Sequence, residues 1–388
     1  MTDIKKVLVL VETSREYGRS LIKGILEYCK FVPKWKIELP PPFYIKQNRI
    51  SVYRKAIQRG YYHGIIGHIH KPSDYHFIMN SKTPAILQSI YTHIEGESIG
   101  ADNTDIGIKA ADFFLQKGYR NFGFFGCHKL YFSTERANSF SNQLQSGNYF
   151  EFSTSTDIRP NEQRIKKIGN WLRRLPKPIG ILACNDEWAK LMNEVCILNE
   201  INVPEDISIL GVDNDEIICK TTWPYISSIA LNTEKAGLAA ASLLDKMMRT
   251  KHKLTEKITI TPTDIEERQS TDITVIKDEM VSKALQYIKR NIDKPIQVAD
   301  ILDDVLISRR SLQDRFNKVL GCSMLYQVRK MQIARIAKLL IQTDLSIMHI
   351  SNICGFTSFN NFSRLFKKYK GMTPTDYRQT YQKNRPHA

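Results

Sequence analysis

The sequence has little that would place it in or across a membrane. No apolar run approaches the roughly 20 residues that a helix needs to cross a bilayer. The apolar run at residues 7–11 is also too short for the core of a signal peptide. Both observations predict a cytoplasmic protein with no membrane partner.

The sequence also offers few signs of a disulfide framework or a metal centre. Its seven cysteines are an odd number, and no two of them form a C-x-x-C pair. His68 and His70 end an apolar run, but no carboxylate stands at ligand spacing from them. We therefore predict reduced thiols, no metal site and no cofactor.

Motifs that would identify an enzyme are scarce as well. There is no phosphate loop of the G-x-x-x-x-G-K type, and no G-x-G-x-x-G follows a predicted strand. An enzyme on an α/β scaffold remains an alternative, because a fold alone does not decide function. We expect that a protein of this kind is not an enzyme.

The charge is abundant and unevenly distributed. The whole chain has a formal net charge of +16, and residues 277–388 hold 20 Lys and Arg against 9 Asp and Glu. The preceding 276 residues hold 36 against 31. A basic segment next to a nearly neutral one is typical of a nucleic-acid-binding domain attached to another domain.

Up to about residue 268, short apolar runs alternate with amphipathic stretches. Runs such as residues 5–11, 179–184 and 207–212 are each followed by a helix-like segment. This rhythm predicts βαβ units with buried parallel sheets. Ligands bind beyond the carboxyl ends of the strands in such sheets, and polar residues cluster at four of these ends. The four clusters are residues 13–17, 101–103, 184–186 and 213–214.

The last third of the chain is helical and contains a repeat. Residues 301–323 match residues 350–373, with Leu312 and Phe316 of the first copy aligned to Phe362 and Phe366 of the second. These pairs are spaced i, i+4, so each pair shares a buried helix face. Ser308 and Ser358 precede the second helix of each copy and are predicted to be its N-caps. Each copy therefore predicts a helix-turn-helix.

A long amphipathic helix is predicted over residues 324–341, between the two copies. We expect it to hold two recognition helices about 34 Å apart, one turn of DNA. The apolar residues of this helix are predicted to lie roughly on one side of it. They are Leu325, Val328, Met331, Ile336 and Leu339.

The run DLSIMHISNICGFTSFNNFSRLFKKYKGMTPTDYR at residues 344–378 resembles the signature of AraC-type transcription regulators. This resemblance implies a double helix-turn-helix that binds adjacent major grooves of double-stranded DNA. Arg suits guanine, and Gln and Asn suit adenine. The DNA-binding residues it implies are Arg309, Arg310, Gln313, Asn317, Phe359, Asn360, Ser363, Arg364, Lys367 and Lys368. Asp314 departs from the basic or polar residue frequent at that position, and its carboxylate is an unfavourable neighbour for a polyanion.

The first 268 residues resemble the sensor domain of LacI-type repressors and periplasmic sugar-binding proteins. The matching segments are QKGYRNFGFFG, ERANSF, ILACNDEWA, VPEDISILGVDN and EERQST. The resemblance implies an α/β domain of two lobes with a ligand between them. The expected organisation is a sensor over residues 1–268, a linker over 269–279 and an all-α DNA-binding domain over 280–388. The two helix-turn-helix units are expected at about 297–320 and 346–370.

A sugar presents neighbouring hydroxyl groups, which carboxylates and amides bind well. The effector-binding residues expected from the strand ends and the resemblance are Ser14, Arg15, Tyr17, Asp102, Arg136, Asp186, Asp213 and Asn214. For Asp186 and Asp213 the alternative is a helix cap. Trp188 and Trp223 are candidates for stacking on a sugar ring, although core packing is the commoner role.

A LacI-like sensor fused to an AraC-like C-terminal domain implies a regulator of pentose utilisation genes. Xylose is the first candidate effector, and another sugar, a purine or no ligand is the alternative. The AraC-type domain favours activation, and the resemblance implies a homodimer and contact with RNA polymerase.

Overall fold

A computed structural model describes most of the chain in two compact units. The described residues are 4–31, 35–40, 49–69, 71–89, 91, 94, 97–144, 147–156, 159, 161–250, 256–273, 278–292, 294, 296–356 and 358–382. The first unit runs to Ile273, apart from residues 116–118, which group with the second. The second unit comprises the chain after Ile273. Residues 274–277 of the predicted linker, and His70, lie outside the described residues.

The first lobe of the first unit contains a sheet of six parallel strands flanked by helices. Its elements are β1 (Lys5–Leu10), α1 (Glu16–Phe31), β2 (Trp35–Glu38), α2 (Arg49–Gln58), β3 (Gly64–Ile69), α3 (Pro72–Asn80), β4 (Ala85–Ser89), β5 (Ser98–Ala101), and, from later in the chain, α9 (Thr233–Thr250) and β11 (Lys257–Ile260). The strand order is β11-β5-β4-β3-β1-β2. Side chains of β1 alternate between the two faces: Val7 and Val9 pack with α1 and α9, and Leu8 packs with α2.

The second lobe contains the other six-stranded sheet, in the order β12-β10-β9-β8-β6-β7. Its elements are α4 (Asn103–Gln116), β6 (Asn121–Gly126), α5 (Tyr131–Gln143), β7 (Asn148–Ser153), α6 (Glu162–Arg174), β8 (Ile179–Ala183), α7 (Asp186–Leu198), β9 (Ile207–Val212), α8 (Glu216–Lys220), β10 (Ser227–Leu231) and β12 (Pro262–Glu266), with a 3-10 turn at Gln269–Thr271. Strand β12 runs antiparallel to β10, and the other pairs are parallel. The core is rich in phenylalanine, with Phe114, Phe122 and Phe140 in edge-to-face contact.

Three crossings join the lobes. The chain passes from β5 to α4, from β10 back to α9, and from β11 to β12. A two-lobed domain with several crossing segments holds its cleft at the carboxyl ends of both sheets. The predicted α/β architecture is therefore confirmed.

The second unit is entirely helical in its described residues. Its helices are α10 (Glu279–Asn291), α11 (Val298–Val305), α12 (Arg309–Leu320), α13 (Met324–Gln342), α14 (Ile347–Ile353), α15 (Phe359–Lys370) and α16 (Pro374–Gln382). Ser308 and Ser358 cap α12 and α15, as predicted, by accepting the amides of Ser311 and Asn361. The i, i+4 pairs of both repeats are fully buried, and each repeat has its own apolar cluster. The predicted pair of helix-turn-helix motifs is confirmed.

The predicted inner face of α13 is wrong at its first residue. Leu325 is 48% exposed, whereas Val328 is buried in the first cluster. The second half of the helix packs into the other cluster through Ile333, Ile336 and Leu340. A helix that serves two cores presents two different inner faces, so one continuous stripe does not describe it.

Candidate functional site

A cavity of about 190 Å³, lined by both polar and apolar side chains, lies between the two lobes of the first unit. Residues at the carboxyl ends of β1, β3, β4 and β9 contribute to its walls, together with α4 and α5. Of the eight predicted effector-binding residues, the cavity is lined by four: Arg15, Tyr17, Arg136 and Asp213. The structure therefore brings these four residues together at the carboxyl ends of the strands.

Asp213 has a carboxylate that accepts no hydrogen bond from the residues that the structure describes. Its backbone amide donates to the carbonyl of Ile229 at 3.0 Å, and its side chain lines the cavity. Burial raises the pKa of this carboxyl to about 6, while the nearby Arg136 and Arg15 lower it. Asp213 is thus mainly ionised at pH 7 and has acceptor capacity to spare.

Arg136, on α5 of the same lobe as Asp213, is held in the cavity wall by two hydrogen bonds. Its Nε donates to Asn103 Oδ1 at 2.9 Å, and its Nη1 donates to the carbonyl of Cys184 at 2.5 Å. Asn103 in turn donates to Glu135 Oε2 at 2.9 Å. The Nη2 group of Arg136 has no hydrogen-bond partner among the described residues, so one edge of a fixed guanidinium can donate to a ligand.

Tyr17 and Gln88 form a hydrogen-bonded pair in the part of the cavity wall that the first lobe contributes. The Tyr17 hydroxyl donates to Gln88 Oε1 at 2.8 Å, and the tyrosine ring lies 5.6 Å from the ring of His68. Burial raises the pKa of Tyr17, so its hydroxyl keeps its proton. The pair presents an amide and a ring face to the cavity.

The other four predicted residues have different partners. Ser14 is exposed, and its backbone carbonyl accepts a hydrogen bond from Arg19 Nη1 at 2.8 Å. Asp102 accepts the amide of Asp105 at 2.9 Å and so begins α4. Asn214 accepts from Arg268 at 2.7 Å.

Asp186, the last of these four, is 2% exposed and does not line the cavity. Its carboxylate accepts the amide of Asp215 at 2.7 Å and the hydroxyl of Ser228 at 2.5 Å. Gly211 leaves it room, since a Cβ there would lie 2.1 Å from Asp186 Oδ1. The structure therefore gives Asp186 the task of supporting the turn that carries Asp213.

That turn, residues 213–215, sends three neighbouring side chains in three directions. Asp213 and Asn214 have φ angles of 102° and 50°, a left-handed backbone that Asp and Asn tolerate better than most residues. Asp213 therefore reaches the cavity, while Asp215 caps α8 by accepting the amides of Ile217 and Ile218.

Three contacts of the same region cross between the lobes. Asp215 Oδ2 accepts the backbone amide of Glu16 at 2.7 Å and the Arg19 guanidinium at 3.0 Å, both from α1. Arg15 forms an ion pair with Glu187 at 2.5 Å. Asp215 is 2% exposed, so this part of the lobe interface excludes water.

Sequence reasoning missed several cavity residues. Gln88 and Ser89 end β4, and Lys257 begins β11. The strand-end rule would have found the first two, because they follow the apolar run at 85–87. Tyr131, Phe132 and Glu135 lie on α5, and nothing in the local pattern separates them from an ordinary helix face.

The two tryptophans proposed for stacking lie elsewhere. Trp188 is buried and packs edge-on against Phe125 at 5.7 Å, whereas Trp223 is 69% exposed. Neither lines the cavity. Within the described residues no group of three or more His, Cys, Asp or Glu side chains could hold a metal ion. None of the described helices is long and apolar enough to cross a membrane.

One sequence match to a catalytic motif does not have the required geometry. Residues 96–100, GESIG, fit the pattern G-x-S-x-G, in which the serine sits on a sharp turn between a strand and a helix. Ser98 instead begins strand β5 and pairs with Leu87 and Lys257 in the sheet. The backbone of β5 is therefore not a nucleophile turn.

The second unit exposes the predicted DNA-binding face. Of the first recognition helix, Arg309, Arg310 and Asn317 are exposed, and Gln313 donates to Asn317 at 3.0 Å. On the second recognition helix the exposed side chains are Phe359, Asn360, Arg364, Lys367 and Lys368, with Ser363 half-buried. Arg364 donates to Asn361 at 3.3 Å. Asp314 is also exposed on the first of these helices.

Comparisons with known proteins agree with this architecture. A periplasmic binding protein-like domain model matches residues 111–271, and a helix-turn-helix domain model matches residues 302–380. The xylose operon regulatory protein of Haemophilus influenzae is 28% identical, over 96% of this chain and 98% of that protein. Its counterpart from Escherichia coli K12 is 26% identical, over 96% of each chain.

A solved structure described as the xylose-binding transcription activator xylR is also similar. It is 26% identical, with a TM-score of 0.61, over 98% of this chain and 99% of that one. The helix-turn-helix domain and the whole-length relatives identify a regulator and not an enzyme. The chain is thus a homologue, along nearly its whole length, of the xylose operon regulatory proteins: a DNA-binding transcriptional regulator with a periplasmic-binding-protein-like sensor domain and a C-terminal helix-turn-helix domain.

Proposed function

We propose that this regulator activates pentose utilisation genes and that D-xylose, bound in the cavity between the lobes, is its effector. The single observation that carries the proposal is the Asp213 carboxylate, which lines the cavity between the lobes and accepts no hydrogen bond from the described residues. Whole-length relatives named as xylose operon regulatory proteins support the choice of sugar.

The chemistry of the site suits a pentose. Two neighbouring hydroxyl groups donate to the two oxygens of Asp213, and the Arg136 Nη2 group donates to a third oxygen. Gln88 and Asn103 both donate and accept, as a hydroxyl group does. The faces of Tyr17 and Phe132 cover the apolar C–H side of the ring.

The predicted effector residues divide into two roles in this proposal. Arg15, Tyr17, Arg136 and Asp213 contact the sugar. Ser14, Asp102, Asp186 and Asn214 hold the loops and helix starts that carry those four. We retain residues 1–268 as the sensor, 269–279 as the linker and 280–388 as the DNA-binding domain.

DNA recognition in this proposal follows the exposed face of the two recognition helices. Arg309, Arg310, Gln313 and Asn317 read bases in one major groove. The adjacent groove is read by Phe359, Asn360, Ser363 and Arg364, while Lys367 and Lys368 contact phosphates. The protein acts in the cytoplasm as a homodimer that contacts RNA polymerase, with no cofactor and no membrane partner.

Calorimetric titration of the full chain tests the effector. We expect heat of binding with D-xylose, weaker or no heat with L-arabinose and D-ribose, and none with purines. Asp213→Asn should weaken xylose binding by about tenfold or more, the value of a charge-assisted hydrogen bond. Glu216→Gln is the matched control, because Glu216 lies three residues after Asp213 in the sequence and pairs with Lys220 on the surface.

Heat of binding with a purine and none with any pentose would replace the sugar as the proposed effector. It would leave the protein's assignment as a transcriptional regulator unchanged. No heat with any pentose would remove the xylose assignment.

A further inference from the structure

A second cavity lies at the amino ends of the first lobe's strands, away from the effector site. Its volume is about 380 Å³, within the range of pockets that hold small molecules. Lys5 opens β1, His63 precedes β3, Ala85 opens β4 and Glu97 precedes β5, so the walls come from the amino ends of the strands. The effector cavity lies at the carboxyl ends of the same sheet.

Glu97 makes this cavity unusual. The residue is 9% exposed, and its Oε1 atom is buried with no hydrogen-bond partner among the residues that the structure describes. A buried carboxylate oxygen without a donor is costly, more so than a neutral acceptor. A ligand with a positively charged donor group would remove that cost.

The rest of the cavity wall carries complementary groups. Lys5 and Lys82 line it and have no ion-pair partner among the described residues. His63 Nδ1 accepts the amide of Lys6 at 2.9 Å, so in the neutral ring its Nε2 carries the proton and is a donor. These groups favour an anion opposite Glu97.

The apolar part of the wall consists mainly of methionines. Met79, Met247 and Met248 line the cavity, and Met247 is buried. Methionine side chains are unbranched and polarizable, and they adapt to apolar ligands of different shapes. The cavity therefore combines a carboxylate, two ammonium groups and an adaptable apolar surface.

We propose that this methionine-lined cavity is a second ligand site, for a small zwitterion with an apolar side chain such as an apolar α-amino acid. The ammonium group of the ligand donates to Glu97, its carboxylate meets Lys5 and Lys82, and its side chain packs on the methionines. The site is distinct from the sugar site, so a regulator of sugar genes would also sense a nitrogen-containing metabolite.

L-leucine and L-methionine are the probes, used with the full chain in calorimetry and thermal unfolding. We expect at least one of them to bind wild type and to raise its Tm. Glu97→Gln should weaken that binding about tenfold or more. Glu256→Gln removes an equal charge close in sequence to β11 without lining the cavity, and it should change nothing.

Two further measurements separate this proposal from the proposed function. Glu97→Gln should bind xylose as wild type does, and Asp213→Asn should still bind the amino acid. Without a ligand, Glu97→Gln should match or exceed the wild-type Tm, because it removes an unpartnered buried charge. Absence of binding by both probes, equal binding by Glu97→Gln, or a lower Tm of that variant without ligand would each overturn the proposal.

Discussion

At the scale of single residues, the turn after β9 gives three neighbouring carboxylate and amide groups three different partners. Asp213 faces the cavity, Asn214 accepts from Arg268, and Asp215 joins the two lobes. The sequence predicted that residues 213 and 214 stand at a strand end. It could not separate their roles, because the separation depends on two left-handed backbone conformations that polar type alone does not specify.

The pH dependence of sugar binding follows from Asp213. Its pKa is raised to about 6 by burial, so the carboxylate is lost as the pH falls through 6. We expect the affinity of wild type for xylose to fall between pH 7 and pH 5, because the protonated form accepts fewer hydrogen bonds. Calorimetry at pH 7, 6 and 5 measures this trend. Asp213→Asn has no such group, so its weaker affinity should stay constant over the same range.

Asp186 shows the limit of predicting a site from residue type. Asp186 and Asp213 both follow buried strands and both suit a hydroxyl ligand, yet only Asp213 lines the cavity. The difference arises because Gly211 leaves room for the Asp186 carboxylate beneath the turn. Burial raises the pKa of Asp186 well above its ordinary range, which fits a structural group held by Ser228 and the amide of Asp215.

At the scale of elements, the two helix-turn-helix repeats share a left-handed backbone position but have different residues there. Leu306 ends α11 in a left-handed conformation, with φ of 56°, and its side chain is 89% exposed. Gly355 occupies the corresponding position of the second repeat, with φ of 81°. A left-handed conformation costs a residue with a side chain about 1–2 kcal/mol, whereas glycine adopts it freely.

Leu306→Gly should therefore stabilise the first repeat by about 0.5–1 kcal/mol, after the larger backbone entropy of glycine in the unfolded chain is subtracted. Hydrogen exchange of the α11 and α12 amides measures this, with protection expected to rise about threefold. Gly355→Ala is the converse variant and should lower the protection of α14 and α15. Unchanged or lower protection in Leu306→Gly would show that the conformation carries no strain.

The recognition helices lead to a second prediction at this scale. Lys368 is exposed near the end of α15 and is assigned to a phosphate, whereas Arg309 begins α12 and is assigned to a base. Lys368→Gln should weaken DNA binding equally for all sequences and reduce the salt slope of log K by about 1. Arg309→Gln should cost about 1–3 kcal/mol on the selected sequence only.

Binding to selected and scrambled DNA at several salt concentrations distinguishes the two variants. Lys283→Gln is the control, because Lys283 pairs with Glu279 on α10, outside both repeats. A loss of sequence preference in Lys368→Gln would contradict the phosphate assignment.

The helical repeats were the most predictable part of the fold. Serine caps and i, i+4 pairs of apolar residues are local signals, and both were found where expected. The inner face of α13 was predicted less well, because two separate clusters determine it. The packing of the two clusters, and not one continuous apolar stripe, therefore determines which residues of α13 are buried.

At the scale of the whole molecule, the first unit couples its effector cavity to contacts between the lobes. Asp213 and Asp215 are two residues apart, and Asp215 accepts from Glu16 and Arg19 of the other lobe. Under the proposed function, a sugar bound to Asp213 would favour an arrangement in which these contacts between the lobes are made, and the contacts would in turn strengthen sugar binding.

Arg19→Gln should therefore lower xylose affinity about tenfold, although Arg19 does not line the cavity. Asp215→Asn should do the same. The double variant should lose less affinity than the two single losses combined, because both single variants remove the same Arg19–Asp215 contact. Calorimetry measures the affinities, and Lys220→Gln on the surface of α8 is the control. Additive losses would mean that the two residues act separately.

The central claim is that a sugar in the cavity between the lobes changes DNA binding by the helix-turn-helix domain. The most direct measurement is the affinity of the full chain for DNA selected from a random pool, with and without D-xylose, for wild type and Asp213→Asn. The account predicts that xylose shifts the DNA affinity of wild type and leaves that of Asp213→Asn unchanged at the same concentration. An equal shift in both proteins, or no shift in wild type, would contradict it.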